Sequence, residues 1–314
     1  MRAPTGEQFT LELESEGTRT LAIITEVAAS LRVLEVDDVE VIDAYSVESS
    51  PPYGSGIVLA PWPNRVRDGV WWLDGEPQQL DLTEVGKRNA IHGLLRSRPY
   101  RAAERSASAI TLEATVYPQH GYPFIVDTSV RYAVVPGGIT VTHRFHNRSK
   151  SVAPFAVGAH PFFRVGDVPI GDLTLSLAAE SRFVLDDRLI PGDEVAVDGT
   201  EFDLRGGRRV RDLDLDTPFG QVSRDADGRA RHRLSASDGR FTEVWQGPDF
   251  GFVQAFTPHT FPRPRPDAPN ALGQAVAIEP MTAPPNAFNS GIGLRWLQPG
   301  EEWSGSWGVT YGSA

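Results

Sequence analysis

Two histidines and a glutamate stand far apart in this chain, each in a turn-rich setting. His92 lies in Asn89-Ala90-Ile91-His92-Gly93, and His160 in Gly158-Ala159-His160-Pro161-Phe162-Phe163. Glu279 lies in Ile278-Glu279-Pro280, ahead of Met281-Thr282-Ala283-Pro284-Pro285-Asn286. Imidazole titrates near neutrality and a carboxylate can be tuned toward it. Together they suit a reaction that takes a proton from one oxygen and gives one to another.

Each residue also has a plainer reading. His92, in a sharply turning loop with Gly86 and Gly93 on either side, can be incidental. His160 is ringed by proline and aromatic surface, so desolvation pulls its pKa down and a neighbouring carboxylate would push it up. It can equally be a core histidine satisfied by a backbone carbonyl. Glu279 ends the apolar run Ala275-Val276-Ala277-Ile278, where Pro280 is expected to end the strand. Burial there raises a carboxylate toward the range of a general base, whereas an arginine partner would make it a structural ion pair. Asn64-Arg65, within Ala60-Pro61-Trp62-Pro63-Asn64-Arg65-Val66, brings a guanidinium fork beside an aromatic, a combination suited to sugar hydroxyls and an apolar ring face. Trp62, Trp71, Trp72, Phe162 and Phe163 are the candidates for a stacking wall, with core packing the alternative for most of them. His143 and His146, three apart on a strand, point to opposite faces and cannot easily share a metal.

The elements that must position these groups are short strands. Period-2 or β-branched segments run over residues 9–13, 21–27, 30–36, 39–44, 109–116, 124–135 and 139–145, with a hairpin expected at Val135-Pro136-Gly137-Gly138. The pattern continues over 173–178, 231–235, 241–246, 252–257, 275–279 and 303–311. No long 3.6-residue apolar stripe with caps occurs, so helices should be few and short. The expected fold is all-β, a large antiparallel sandwich in one domain over 1–314. Pro258 to Pro266 reads as a long loop over one edge.

Composition narrows the function classes. A formal charge of −11 with no basic stripe argues against nucleic acid. The densest basic cluster, Arg205, Arg208, Arg209 and Arg211, is interleaved with Asp203, Asp212, Asp214 and Asp216 and reads as a solvated loop more than a phosphate site. The absence of cysteine excludes disulfides, thiolate nucleophiles and zinc–thiolate sites. No apolar run approaches 18 residues and the start has no secretory pattern, so no membrane association and a cytoplasmic location are expected.

Taken together, Asn64-Arg65, Ile91-His92-Gly93, Ala159-His160-Pro161-Phe162-Phe163, Ile278-Glu279-Pro280 and Pro285-Asn286 resemble, in order and spacing, the aldose 1-epimerase (mutarotase) family. The closing Leu297-Gln298-Pro299-Gly300-Glu301 is similar too, so the likeness spans from about Leu21 to the C-terminus. The resemblance implies a galactose mutarotase-like supersandwich and interconversion of the α and β anomers of a free hexose such as glucose or galactose. It implies Glu279 as general base on the anomeric hydroxyl and His160 as general acid on the ring oxygen. His92, Arg65 and Asn64 would hold the sugar, and Asp216 would bind a hydroxyl, with Asp214 two positions away as the competitor. No cofactor or metal is implied, and the only partner is a small sugar. The chain departs from the family at Ala159, where many members have Asn, and at Thr217, where His commonly follows the Asp. The rivals are a hexose-6-phosphate 1-epimerase, with Arg67, Arg88 or Arg96 meeting the phosphate, and a carbohydrate-binding domain without turnover.

Overall fold

The strands assemble into two large antiparallel sheets, seen in a computed structural model that describes residues 2–264 and 267–313. One sheet has nine strands, ordered Arg101–Arg105, Ala109–Val116, Val126–Val135, Gly138–Asn147, Glu302–Ser313, Arg240–Gln246, Ala230–Ser235, Thr174–Ser176 and Arg208–Arg209. Its Val126–Val135 and Gly138–Asn147 strands alternate buried and less buried residues, as a half-covered sheet requires, and join through the expected turn. The other sheet has eight, ordered Pro191–Ala196, Ala179–Leu185, Asp216–Val222, Phe252–Phe256, Val276–Met281, Gly158–Ala159 and Val58–Leu59, with Phe162–Phe163 also pairing to Val276–Met281. A four-stranded sheet, Gln8–Ser15, Thr18–Thr25, Leu31–Val36 and Val39–Glu40, precedes them. The main apolar cluster runs from Leu112, Val130, Val141 and Val309 of the first large sheet to Phe219, Val253, Val276 and Ile278 of the second. Among the described residues the one α-helix is Ala287–Ser290, and no helix is long and apolar enough to cross a membrane.

Val276–Met281 is buried at every position, which places it under cover on both faces. Val276 and Ile278 join the main core, while Ala277 packs in a second small cluster with Phe162, Phe261 and Ala275. By alternation Glu279 shares that second face. The register carries the face across neighbouring strands: Gln254 lies opposite Glu279, Phe256 opposite Ala277, and Asp216 opposite Phe256. One side of the sheet is thus core, and the other carries Asp216, Gln254, Phe256 and Glu279 together.

Several expectations are corrected. Pro280 lies inside its strand, opposite Val253, rather than ending it; the register continues to Met281 because flanking pairs hold the ladder where proline lacks an N–H. The strand expected over 39–44 stops at Glu40 and resumes only as a single bridge from Ile42 to Phe163. The proline-rich stretch is not a plain loop: Phe261–Pro262 pairs with Leu272–Gly273, and Phe261 packs on Phe162 at 4.7 Å between ring centres. Arg265 and Pro266 of that stretch lie outside the described residues. In line with the solvated-loop reading, Arg205 pairs with Asp203 and Asp198, and Arg211 with Asp172, on the surface, while Arg208 donates to the Glu201 carbonyl.

Candidate active site

Arg65 and His92 meet because Arg65–Arg67 pairs with Asn89–Ile91, Arg65 opposite Ile91. Tight backbone geometry fixes both ends of this ladder. Asn64 adopts a left-handed φ of 55°, and its Oδ1 accepts the Arg65 backbone N–H at 2.9 Å. His92 is also left-handed, at φ 65°, and its N–H donates to the Asn64 carbonyl at 2.9 Å. Gly93 must be glycine: at φ 76° its backbone approaches Ala60 so closely that a Cβ would stand 2.1 Å from the Ala60 oxygen. Asn286 then ties the segment beyond Glu279 to the same ladder, donating its N–H to the Arg65 carbonyl at 2.6 Å and accepting from the Arg67 N–H at 3.1 Å.

His160 arrives from the short Gly158–Ala159 strand beside Val276–Met281. Its ring stacks on Phe162 at 5.2 Å and stands edge-on to His92 at 5.3 Å. His160 Nε2 lies 3.4 Å from Glu279 Oε1, with both side chains almost wholly buried. The structure therefore brings Asn64, Arg65, His92, His160, Asp216 and Glu279 around one cavity of about 270 Å³, to which Tyr53, Glu84 and Phe256 also contribute. That volume approaches the lower end, about 300 Å³, of small-ligand pockets. Asp216 faces the cavity, whereas Asp214 is exposed before the strand begins.

Burial governs the electrostatics. It pushes Glu279 well above the usual carboxylate range, aided by the Asp216 charge and opposed by Arg65. It pulls His160 down to about 4, with its own backbone opposing the effect and Arg65 adding to it. His92 is also held well below its ordinary value, first by burial and then by His160, Arg65 and Arg96. Arg65 keeps its charge against burial because Glu84 accepts its Nε at 2.9 Å and a terminal nitrogen at 3.0 Å. A further Arg65 contact reaches Asp216 at 3.5 Å, and Gln254 donates to Asp216 at 2.6 Å.

Four buried polar atoms here have no partner in the protein: His92 Nδ1, His160 Nδ1, Glu279 Oε2 and Gln254 Oε1. Leaving one such atom unpaired costs about 1–3 kcal/mol. Three of these atoms, on His92, His160 and Glu279, belong to residues lining the one cavity, where a polar ligand can meet them. Glu279 is not an arginine-paired structural carboxylate, since the Arg65 fork is taken by Glu84.

The aromatic wall differs from the expectation. Trp62, Trp71 and Phe163 are core residues, Phe162 lies beneath His160, and Trp72 is exposed on the Val70–Leu73 hairpin strand. Tyr53 and Phe256 line the cavity instead, 5.8 Å apart. Gln254 and Phe256 had a signal in the sequence, as residues on one face of a predicted strand whose other face, Val253 and Ala255, is apolar. Glu84 and Tyr53 had none. His143 faces the core and His146 the outer side, where it pairs with Glu302 at 2.9 Å.

The sequence profile of the aldose 1-epimerase family matches residues 10–310. The chain belongs to that family. In sequence it is similar to the uncharacterized protein YihR of Escherichia coli K12, with 29% identity over 281 residues covering 89% of this chain and 86% of that one. The fold is that of the GalM/aldose epimerase homologue from C. elegans, with a TM-score of 0.83 and 16% identity over 98% of this chain and 100% of that one. It is also that of a galactose 1-epimerase from Lactobacillus acidophilus, with a TM-score of 0.73 and 19% identity over 98% and 99% of the two chains. At these identities the structural likeness speaks for the galactose mutarotase-like fold, and membership of the aldose 1-epimerase family rests on the sequence profile.

Proposed function

We propose that the protein interconverts the α and β anomers of a free hexose by opening and reclosing the sugar ring. The observation that carries this reading is the 3.4 Å contact between His160 and Glu279 in a cavity with unpartnered polar atoms on both. A cyclic aldose bears its anomeric hydroxyl and its ring oxygen on the same carbon. An acid and a base in contact can therefore serve both oxygens at once. Glu279 takes the C1 hydroxyl proton while His160 protonates the ring oxygen, the bond from C1 to the ring oxygen breaks, and an aldehyde forms. Rotation about C1–C2 and reversal of the steps yield the other anomer.

Burial favours neutral imidazole and neutral carboxyl, yet that pair carries the same number of protons as imidazolium and carboxylate. Transfer of one proton across the His160–Glu279 contact produces the reactive form without exchange with bulk water. Arg65, Asn64, His92 and Asp216 hold hydroxyls in this reading, and Tyr53 and Phe256 supply an apolar wall. The test is polarimetry on freshly dissolved glucose, galactose and related aldoses. Catalysed relaxation of the optical rotation is expected. Calorimetric binding without acceleration would instead mark a carbohydrate-binding domain.

One observation supports a phosphorylated substrate as the second reading. Arg67 pairs with Asp186 at 2.6 Å and Arg88 with Asp68 at 3.4 Å, but Arg96 forms no ion pair among the described residues. It lines an adjoining space of about 450 Å³ with Tyr53 and His92. Faster anomerisation of glucose 6-phosphate than of glucose, lost in Arg96→Ala, would select this reading.

A further inference from the structure

Among the described residues, Arg65 is the one arginine or lysine lining a cavity that also holds three carboxylates, Glu84, Asp216 and Glu279. An unoccupied guanidinium here would pair with Glu279, since an adjacent arginine lowers a carboxylate pKa by about 1–3 units and favours its charged form. That pairing would weaken Glu279 as a base. The structure avoids it: the Nε side of the fork is closed by Glu84 in a two-point contact, at 2.9 and 3.0 Å. Glu84 itself is fixed from the far side. Asn89, fully buried, donates to Glu84 Oε2 at 2.9 Å, and backbone bonds between residues 84 and 89 run in both directions at 2.9 and 3.2 Å.

We infer that Glu84 is a positioning residue of the reaction, holding Arg65 away from Glu279 so that Glu279 keeps its basicity while the remaining guanidinium donors stay turned to the sugar. The inference rests on the ring-opening reading above for its kinetic consequence, but not for its electrostatic one. Besides Arg65, the titratable or charged groups around Glu279 are His160 and Asp216, with His92 and Glu84 beyond them. Neutralising Glu84 leaves Arg65 to turn toward Asp216 or Glu279. Either way the positive field on Glu279 grows and its carboxylate form is favoured. The reaction needs the His160–Glu279 pair to keep one proton between them, and loss of that proton through Glu279 sets the alkaline limb of the pH–rate profile, so that limb moves to lower pH.

The experiment compares wild type, Glu84→Gln and Glu84→Asp by polarimetric pH profiles and by carbon-13 NMR titration of glutamate-labelled protein, with the Glu279 signal assigned through Glu279→Gln. In Glu84→Gln, the Glu279 titration and the alkaline limb should both fall by about 1–3 pH units, with kcat down by about tenfold on the Brønsted dependence of base strength. Glu84→Asp, which keeps the charge, should return both toward wild type. A Glu279 titration that does not move in Glu84→Gln overturns the inference, as does one that moves equally in Glu84→Asp. Should Glu84→Gln not fold, the Glu84→Asp profile decides: a limb displaced downward by as much as an uncompensated arginine predicts, about 1–3 units, overturns it. If wild type accelerates no sugar, the ring-opening reading fails, and the NMR titration still decides the role of Glu84.

Discussion

His160 and His232 are both buried and both held near a pKa of about 4, yet they sit in regions of opposite character. His232, in the nine-stranded sheet, accepts the Ala178 backbone N–H on Nδ1 and meets the Gln246 amide oxygen on Nε2. Gln246 in turn donates to the Phe250 and Phe252 carbonyls. Every polar atom of the imidazole has a neutral partner, and nothing there can accept or supply a proton. His143, with a pKa lowered to about 3, is buried under Trp307, whose indole donates to Nε2 at 3.0 Å, and although its Nδ1 lacks a partner, among the described residues it lines no cavity with a carboxylate. His160 has a carboxyl group at 3.4 Å and an open cavity. A depressed pKa alone therefore does not mark a catalytic histidine. What sets His160 apart from His232 is a titratable partner and room for a ligand.

The largest expected break in this comparison is kinetic. His160→Gln should lower kcat by about 10²–10⁴, the usual worth of a placed acid, or about 3–5 kcal/mol of barrier. His232→Gln should leave polarimetric turnover per folded molecule unchanged and lower stability by about 1–3 kcal/mol through unpaired buried groups. Comparable loss of turnover in both variants would erase the distinction. Next, Arg65→Lys should cost about 10–100-fold in kcat/KM, because an ammonium cannot reproduce the two-point contact with Glu84 and still reach the sugar.

A smaller effect lies in acid stability. His143, His160 and His232 all have folded pKa values below the ordinary 6.5, so the unfolded chain binds more protons as pH falls from about 6.5 through about 4. Their contribution is therefore present above pH 6.5 and lost in that window, at up to about 1.4 kcal/mol per pH unit for each residue. Glu279 has the opposite sign: its raised pKa favours the folded state at low pH, and that contribution fades as pH rises from about 4.5 through the folded value. Urea midpoints at pH 4.5 and 7 should show a shallower acid dependence in His232→Gln than in wild type; an unchanged dependence would contradict the burial account. The smallest effect separates neighbouring aspartates. Asp216→Asn should raise KM by about tenfold, the worth of one charged hydrogen bond, while exposed Asp214→Asn should change nothing measurable by the same assay.

The sequence made the long strands legible because period-2 burial is written into residues such as Val126, Thr128, Val130 and Tyr132. It also made Arg65, His92, His160 and Glu279 stand out, since each sits where a proline, glycine or strand end interrupts the pattern. It did not make the two-residue strands Val58–Leu59 and Gly158–Ala159 legible, because such strands exist only through pairing with residues more than 90 positions away in sequence. Tyr53 and Glu84 were hidden for the same reason. Tyr53 reaches the cavity through a turn braced by Thr260, and Glu84 acquires its meaning only when Arg65 lies against it.

The most direct test of the account is the polarimetric rate of Glu279→Gln on the best wild-type sugar, measured beside its thermal unfolding. Replacing a buried carboxyl by an isosteric amide should leave the fold intact and reduce kcat by at least about 10². A folded Glu279→Gln protein that relaxes anomers at the wild-type rate would contradict it.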